Sequence, residues 1–281
     1  MPNALSSAIT NALDAYRRYR TARANSKLYR TFRYILFSAV AAYVLLLCYP
    51  QVLFAHEISY KNFTVYSREP LDQNIYPLLD KVEASLAKSE IHNSQVRPKI
   101  FLTNSHRFYS ALTFTIGGNS YGKGLPLLPT NNIFINRSDV QNDLVFRRAA
   151  THKSRSLSGV MTHEVTHLLV RQKFGYVKNV LAPAWKKEGY AEYVAGGSGL
   201  DYATGVKMWK ANPQNDTGYQ YFKYYMLVKY LIETEKLGVE ELFSRDFDRS
   251  ELEAKVFSSL QATTAKVSNR YKRTTQKSLG L

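Results

Sequence analysis

From Tyr34 to Ala55 the chain reads YILFSAVAAYVLLLCYPQVLFA, a run without a charge, and Arg17, Arg18, Arg20, Arg23, Lys27, Arg30 and Arg33 crowd the residues before it. A helix rises ~1.5 Å per residue, so ~20 such residues cross a ~30 Å hydrocarbon layer. The pattern predicts a transmembrane helix over 34–55, with Pro50 and Gln51 near the far interface. The basic residues in front of the run and their absence within it count against a buried core helix. A cleaved signal peptide is the other reading. The apolar part begins late for one, and Leu53 stands where cleavage after Ala55 prefers a small residue. The positive-inside rule puts residues 1–33 in the cytoplasm and exports residues 57–281. Within the basic segment Leu5, Ile9, Leu13 and Tyr16 keep helical spacing, which suits a helix lying on the inner leaflet or a short solvated one.

Past the apolar run the periodicities change. Ile75, Leu78, Leu79, Val82 and Leu86 recur at helical spacing and predict a helix within 72–86. Lys99-Ile-Phe-Leu-Thr103 reads as a strand, as does Ile133-Phe-Ile-Asn136. Between them lies a Gly- and Pro-rich stretch, residues 117–126. It has no Gly-Lys-Ser/Thr ending, so it reads as a mobile turn and not as a phosphate loop. After Ala149 the pattern is mostly helical to the end. Strands first and helices later give an α+β domain over 57–281, with no repeat or low-complexity segment to divide it.

Composition narrows the function classes. The net charge is +16, but it gathers in the N-terminal segment and in the tail from Lys266 to Lys277. That placement points to anionic lipid head groups or another anionic surface, and no base-reading motif accompanies it; nucleic acid is not an expected partner. Tyrosine is abundant, 21 against 14 Phe and 2 Trp, which suits an α+β core as well as a binding surface. The only cysteine, Cys48, lies inside the apolar run, so any metal in the domain must be held by imidazole and carboxylate.

His163-Glu-Val-Thr-His167 supplies that chemistry. Residues four apart on a helix turn ~400°, so both imidazoles stand on one face, a turn apart, and can share one ion. Glu164, rotated ~100° away, projects beside the ion, where it can act as a base toward water. Ser156 or Ser158 can cap this helix and Gly175 can end it. Catalytic zinc sites take three protein ligands and leave a fourth place open. Pro183-Ala-Trp-Lys-Lys-Glu188-Gly-Tyr-Ala-Glu192 offers the missing carboxylate on a second helix, after a connection at residues 168–187 long enough to turn back. Gly189 would let the two helices approach closely. Glu192, one turn beyond Glu188, can accept the other N–H of a ligand histidine. His56, His92, His106 and His152 have no partner spacing and are assigned no chemistry.

H-E-x-x-H followed by W-x-x-E-G-x-A-E-Y resembles the gluzincin clan of zinc metallopeptidases, in particular small bacterial domains with peptidase-MA-like sequence; the resemblance is concentrated in residues 158–197. It implies a zincin-like fold, Zn2+ held by His163, His167 and Glu188, Glu164 as general base, and Glu192 as the carboxylate behind a ligand. It also implies an edge strand that pairs with an extended peptide substrate, a place matched by Ile133, Phe134, Ile135 and Asn136. A tyrosine on a later helix would steady the oxyanion, and Tyr221, ahead of the Tyr230-Leu231 pair, fits that place; aromatic helix packing is the other reading of it. The expected protein is a single-pass peptidase whose domain faces the periplasm or outer surface of a bacterial inner membrane. Its rivals are a zinc-binding module that captures peptides without cleaving them, an amidase acting on cell-wall crosslinks, and a basic membrane adaptor.

Overall fold

The computed structural model describes residues 2–114, 120–125, 128–147, 154–197, 199–211 and 216–261. The chain divides into two compact units, residues 1–52 and 53–281.

The first unit consists of α1 (Pro2–Asn25) and α2 (Lys27–Cys48). With 22 residues, a mean hydropathy of 1.8 in its most apolar window and little of its surface buried, α2 is long and apolar enough to cross a membrane. It begins before Tyr34 and stops short of Ala55. Arg30 and Arg33 extend the helix on the polar side. At the other end Pro50 has no N–H to continue the ladder, and Pro50–Leu53 tightens into a 3-10 turn. Ile9, Leu13 and Tyr16 of α1 are exposed.

The second unit is α+β. Its mixed sheet is built from β1 (His56–Tyr60), β2 (Phe63–Ser67), β3 (Lys99–Leu102), β4 (Gly122–Gly124) and β5 (Asn132–Ile135), in the order β1-β2-β3-β5-β4. The strands β2, β3 and β5 run parallel, and β1 and β4 flank them antiparallel. Parallel neighbours need crossovers, which α3 (Ile75–Leu86) and α4 (His106–Thr113) help to supply. Alternation along the strands sorts two faces. Val65, Ile100, Leu102, Ile133 and Ile135 join the main core under the helices. On the other face the Phe101 ring stacks on Tyr66 and Phe134 and meets Phe54, with centroids 4.8–5.3 Å apart.

A second, three-stranded antiparallel sheet follows: β6 (Arg137–Asp139), β7 (Leu144–Phe146) and β8 (Ser154–Ser156). After Ala149 β8 is the one strand among the described residues, and the rest is mostly helical as expected. From there the chain runs through α5 (Leu157–Phe174), α6 (Tyr176–Leu181), α7 (Ala184–Val194), α8 (Tyr202–Ala211), α9 (Thr217–Glu233), α10 (Val239–Ser244) and α11 (249–261). Buried on nearly every side, α5 packs against α3, α7 and the two sheets. The Gly- and Pro-rich stretch read as a mobile turn contains β4, which pairs with β5 and closes the sheet beside α5; residues 115–119 and 126–127 lie outside the described residues.

Gly189 also takes a different place from the expected one. A Cβ there would fall 2.4 Å from the Tyr224 carbonyl oxygen and 2.7 Å from Val228 Cγ2. The close approach it permits is between α7 and α9, not between the two histidine- and glutamate-bearing helices.

Candidate metal centre

The helix α5 starts firmly. Ser156 Oγ accepts the Gly159 N–H at 3.0 Å, and Asp143 accepts the Ser158 N–H at 2.7 Å and its hydroxyl at 2.8 Å. These bonds satisfy N–H groups that have no partner inside the helix and set a negative charge at its positive end. His163 and His167 then stand one turn apart, and α7, which starts after Pro183, brings Glu188 over both.

Three donor atoms converge. His163 Nε2 lies 3.1 Å from His167 Nε2 and 3.2 Å from Glu188 Oε2, and His167 Nε2 is 3.5 Å from that same oxygen. Bonds of ~2.0–2.1 Å to a tetrahedral ion place donors about 3.3 Å apart, so the triangle has the size a zinc-like ion requires. Among the described residues this is the one group of His, Cys, Asp or Glu donors gathered closely enough to hold a metal ion. The side chain of His163 is almost buried, while those of His167 and Glu188 are about a quarter exposed, so the triangle opens on one side.

The electrostatics suit a cation. Burial works against the His163 imidazolium, but the charge of Glu192, the hydrogen bond to Glu188 and the close approach of both carboxylates outweigh it and push its pKa up to about 10. Burial likewise opposes the Glu188 carboxylate. The charges of His167 and His163 and their hydrogen bonds prevail and hold it well below the usual carboxylate range. Groups arranged this way retain positive charge, as a proton or as a metal ion that displaces it.

Glu192 is fully buried behind His163. Its Oε1 lies 3.1 Å from His163 Nδ1, a close charge contact not aligned as a full hydrogen bond. Both Glu192 oxygens accept from Arg155 on β8, at 2.9 and 2.8 Å. Burial raises the Glu192 pKa, but His163 and Arg155 outweigh it and the net shift is downward.

Glu164 is buried beside the triangle, and its Oε2 accepts the Gly124 N–H of β4 at 3.0 Å. The space it occupies depends on glycine: a Cβ on Gly122 would lie 3.0 Å from Glu164 Cγ, 3.1 Å from its Oε1 and 2.9 Å from Val160 Cγ1. Tyr221 of α9 reaches the same pocket, its ring centroid 6.2 Å from that of His163. Burial first, then the Glu188, Glu164 and Glu192 carboxylates, push its phenol above the ordinary range, so the hydroxyl keeps its proton.

The expected substrate strand is corrected. Ile133, Phe134 and Ile135 are fully buried in β5, an interior strand flanked by β3 and β4. Asn136 is the buried link between β5 and β6, its amide donating to Ser120 O at 3.0 Å and His106 Nδ1 at 3.2 Å. The strand that ends the sheet next to Glu164 is β4. Of the other histidines, His56 lies in β1, His92 pairs with Glu83 at 3.0 Å and His106 meets Asn136, none of them in the triangle; His152 lies outside the described residues.

Sequence reasoning missed Arg155, Gly122 and Gly124. Each sits outside a helical repeat, where spacing carries no direction. The one available signal for Arg155 was Gly196-Gly197-Ser198-Gly199, a glycine turn just past Glu192 with no helix or strand role of its own. No protein-family model matches the chain, and a search of characterised proteins finds no significant relative.

Proposed function

We propose that this chain is a zinc-dependent peptidase of gluzincin type on a zincin-like domain, tethered to a membrane by α2. The observation that carries the reading is the triangle of His163 Nε2, His167 Nε2 and Glu188 Oε2, with edges of 3.1, 3.2 and 3.5 Å and Glu164 beside it. Two imidazoles and a carboxylate are a donor set suited to Zn2+. When bound, such an ion supplies Lewis acidity toward water and toward a scissile carbonyl.

The remaining roles belong to the chain. Glu164, anchored through Oε2 to Gly124, has Oε1 free of that bond to take a proton from water and pass it to the leaving amine. Tyr221, kept protonated by its surroundings, donates to the oxyanion that develops on the substrate. An extended peptide would pair along β4, whose other edge is taken by β5. With the basic N-terminal segment on the cytoplasmic side, the domain works outside the inner membrane of a bacterium.

The test uses the purified full-length chain in detergent. We expect one zinc ion per chain and hydrolysis of unfolded protein substrates. Glu164→Gln should keep the ion and lose about a thousandfold in rate. Full metal content with no Glu164-dependent cleavage would leave a peptide-capturing module instead. Cleavage of purified cell wall but not of protein would redirect the assignment to an amidase. Loss of all metal on dialysis at neutral pH would remove the enzyme reading altogether.

A further inference from the structure

Arg155 is largely buried, and its main partner, Glu192, faces the metal centre. Its Nη1 donates to Glu192 Oε1 and its Nη2 to Glu192 Oε2, and Nη2 also reaches the Gly197 carbonyl at 3.3 Å. The turn after α7 is shaped around the guanidinium. Gly196, Gly197 and Gly199 have φ of +86°, +141° and +73°, which favours residues without a side chain, and a Cβ on Gly199 would lie 3.0 Å from Arg155 Nε. The Tyr121 ring borders the group, 5.8 Å from its central carbon. Glu192, wholly buried, stays ionised only because it is paired, and the fork occupies one lone pair on each of its oxygens. Oε1 is also the atom that meets His163 Nδ1.

We propose that Arg155 is a positioning residue for the metal centre: by fixing Glu192 it keeps the His163 proton on Nδ1 and the Nε2 lone pair directed toward His167 and Glu188. This inference rests on the metal-centre reading above. Histidine ligands depend on a partner at their second nitrogen for tautomer and orientation, and that partner depends in turn on what holds it. A lysine would supply charge without the planar fork, so it restores the ion pair and not the geometry.

The experiment measures Zn2+ and Co2+ affinity by chelator competition, together with the Co2+ absorption spectrum, on the full-length chain in detergent. The variants are Arg155→Met, Arg155→Lys, Glu192→Gln and the Arg155→Met/Glu192→Gln double. We expect Arg155→Met and Glu192→Gln each to weaken binding about 10–100-fold with an altered spectrum. Arg155→Lys should fall between wild type and Arg155→Met. The double variant should bind within about threefold of the weaker single, because both changes break one relay. A role in folding alone would lower thermal stability and leave affinity and spectrum of the folded protein as in wild type; that result, or losses that multiply in the double variant, overturns the proposal. Should Arg155→Met not fold, wild-type affinity in Arg155→Lys overturns it equally. A wild-type chain that binds neither ion brings down the metal reading itself, an outcome distinct from variants that bind as wild type does.

Discussion

Tyr221 joins the pocket from α9, a different element from the helices that carry the three donors, and its hydroxyl remains protonated because burial and then three carboxylates oppose its ionisation. Removing that donor with Tyr221→Phe should lower kcat about 100-fold while leaving metal content and KM near wild type. Since its pKa lies above the ordinary phenol range, no alkaline limb of the rate profile up to pH 10 should come from this residue. Undiminished kcat in the variant would return Tyr221 to plain helix packing. Gly122 acts differently, through space. Gly122→Ala brings a methyl group to 2.9 Å from Val160 Cγ1 and 3.0 Å from Glu164 Cγ, so the strand or the glutamate must move. We expect a loss of about 1–3 kcal/mol in stability and a drop in activity larger than that loss explains, checked by denaturant titration beside kinetics. Activity unchanged within twofold would mean that Glu164 tolerates displacement. At this scale the histidines and Glu188 were legible because a helix converts spacing into direction. Gly122, Gly124 and Arg155 were not, because each acts across a contact between segments distant in sequence.

Among elements, α5 carries the heaviest demand, for it must be buried on most sides and still present two imidazoles at a fixed angle. Its N-terminus is held by Asp143, which accepts from Ser158 and pairs with Lys81 at 3.2 Å. Burial raises the Asp143 pKa, but the Ser158 hydrogen bonds and the Lys81 charge outweigh it, so the folded value lies below the unfolded one. A carboxylate depressed in this way contributes stability above the unfolded pKa of ~3.9 and loses it as pH falls through the folded value. Asp143→Ala should therefore cost about 1–2 kcal/mol at pH 7, and its gap in thermal midpoint from wild type should narrow as pH falls below the unfolded value and close once the carboxyl is protonated in the folded state. A gap that persists undiminished at low pH would show that packing, not charge, is what the substitution removes. The helix itself was readable from its flanking Ser156 and Gly175. By contrast β4 was hidden, because Gly-Lys-Gly has no strand propensity and pairs only since β5 offers it an edge. Strands β6, β7 and β8 have three residues each, too few for a period of two to show.

For the molecule as a whole, the division at residues 52 and 53 separates an apolar helix from a domain with its own core. The outline of the chain was visible in its hydropathy, but an uncharged run does not reveal where a helix stops: α2 ends at Cys48, ahead of Pro50, while the apolar residues continue. That difference matters for any soluble version of the protein. Phe54, inside the segment first assigned to the anchor, meets Phe101 and Phe108 at centroid distances of 5.1 and 5.6 Å, so it belongs to the aromatic face of the sheet. A chain starting at Leu53 should be soluble without detergent, bind metal as the full-length protein does, and keep its activity on soluble peptides. One starting at His56 loses both ring contacts and should be less stable by about 1–2 kcal/mol, seen as a thermal midpoint lower by several degrees, with its metal affinity unchanged because the triangle lies on α5 and α7. Equal midpoints for the two truncations would detach Phe54 from the domain. A Leu53 chain that aggregates or cannot bind metal would show that residues 1–52 do more than tether.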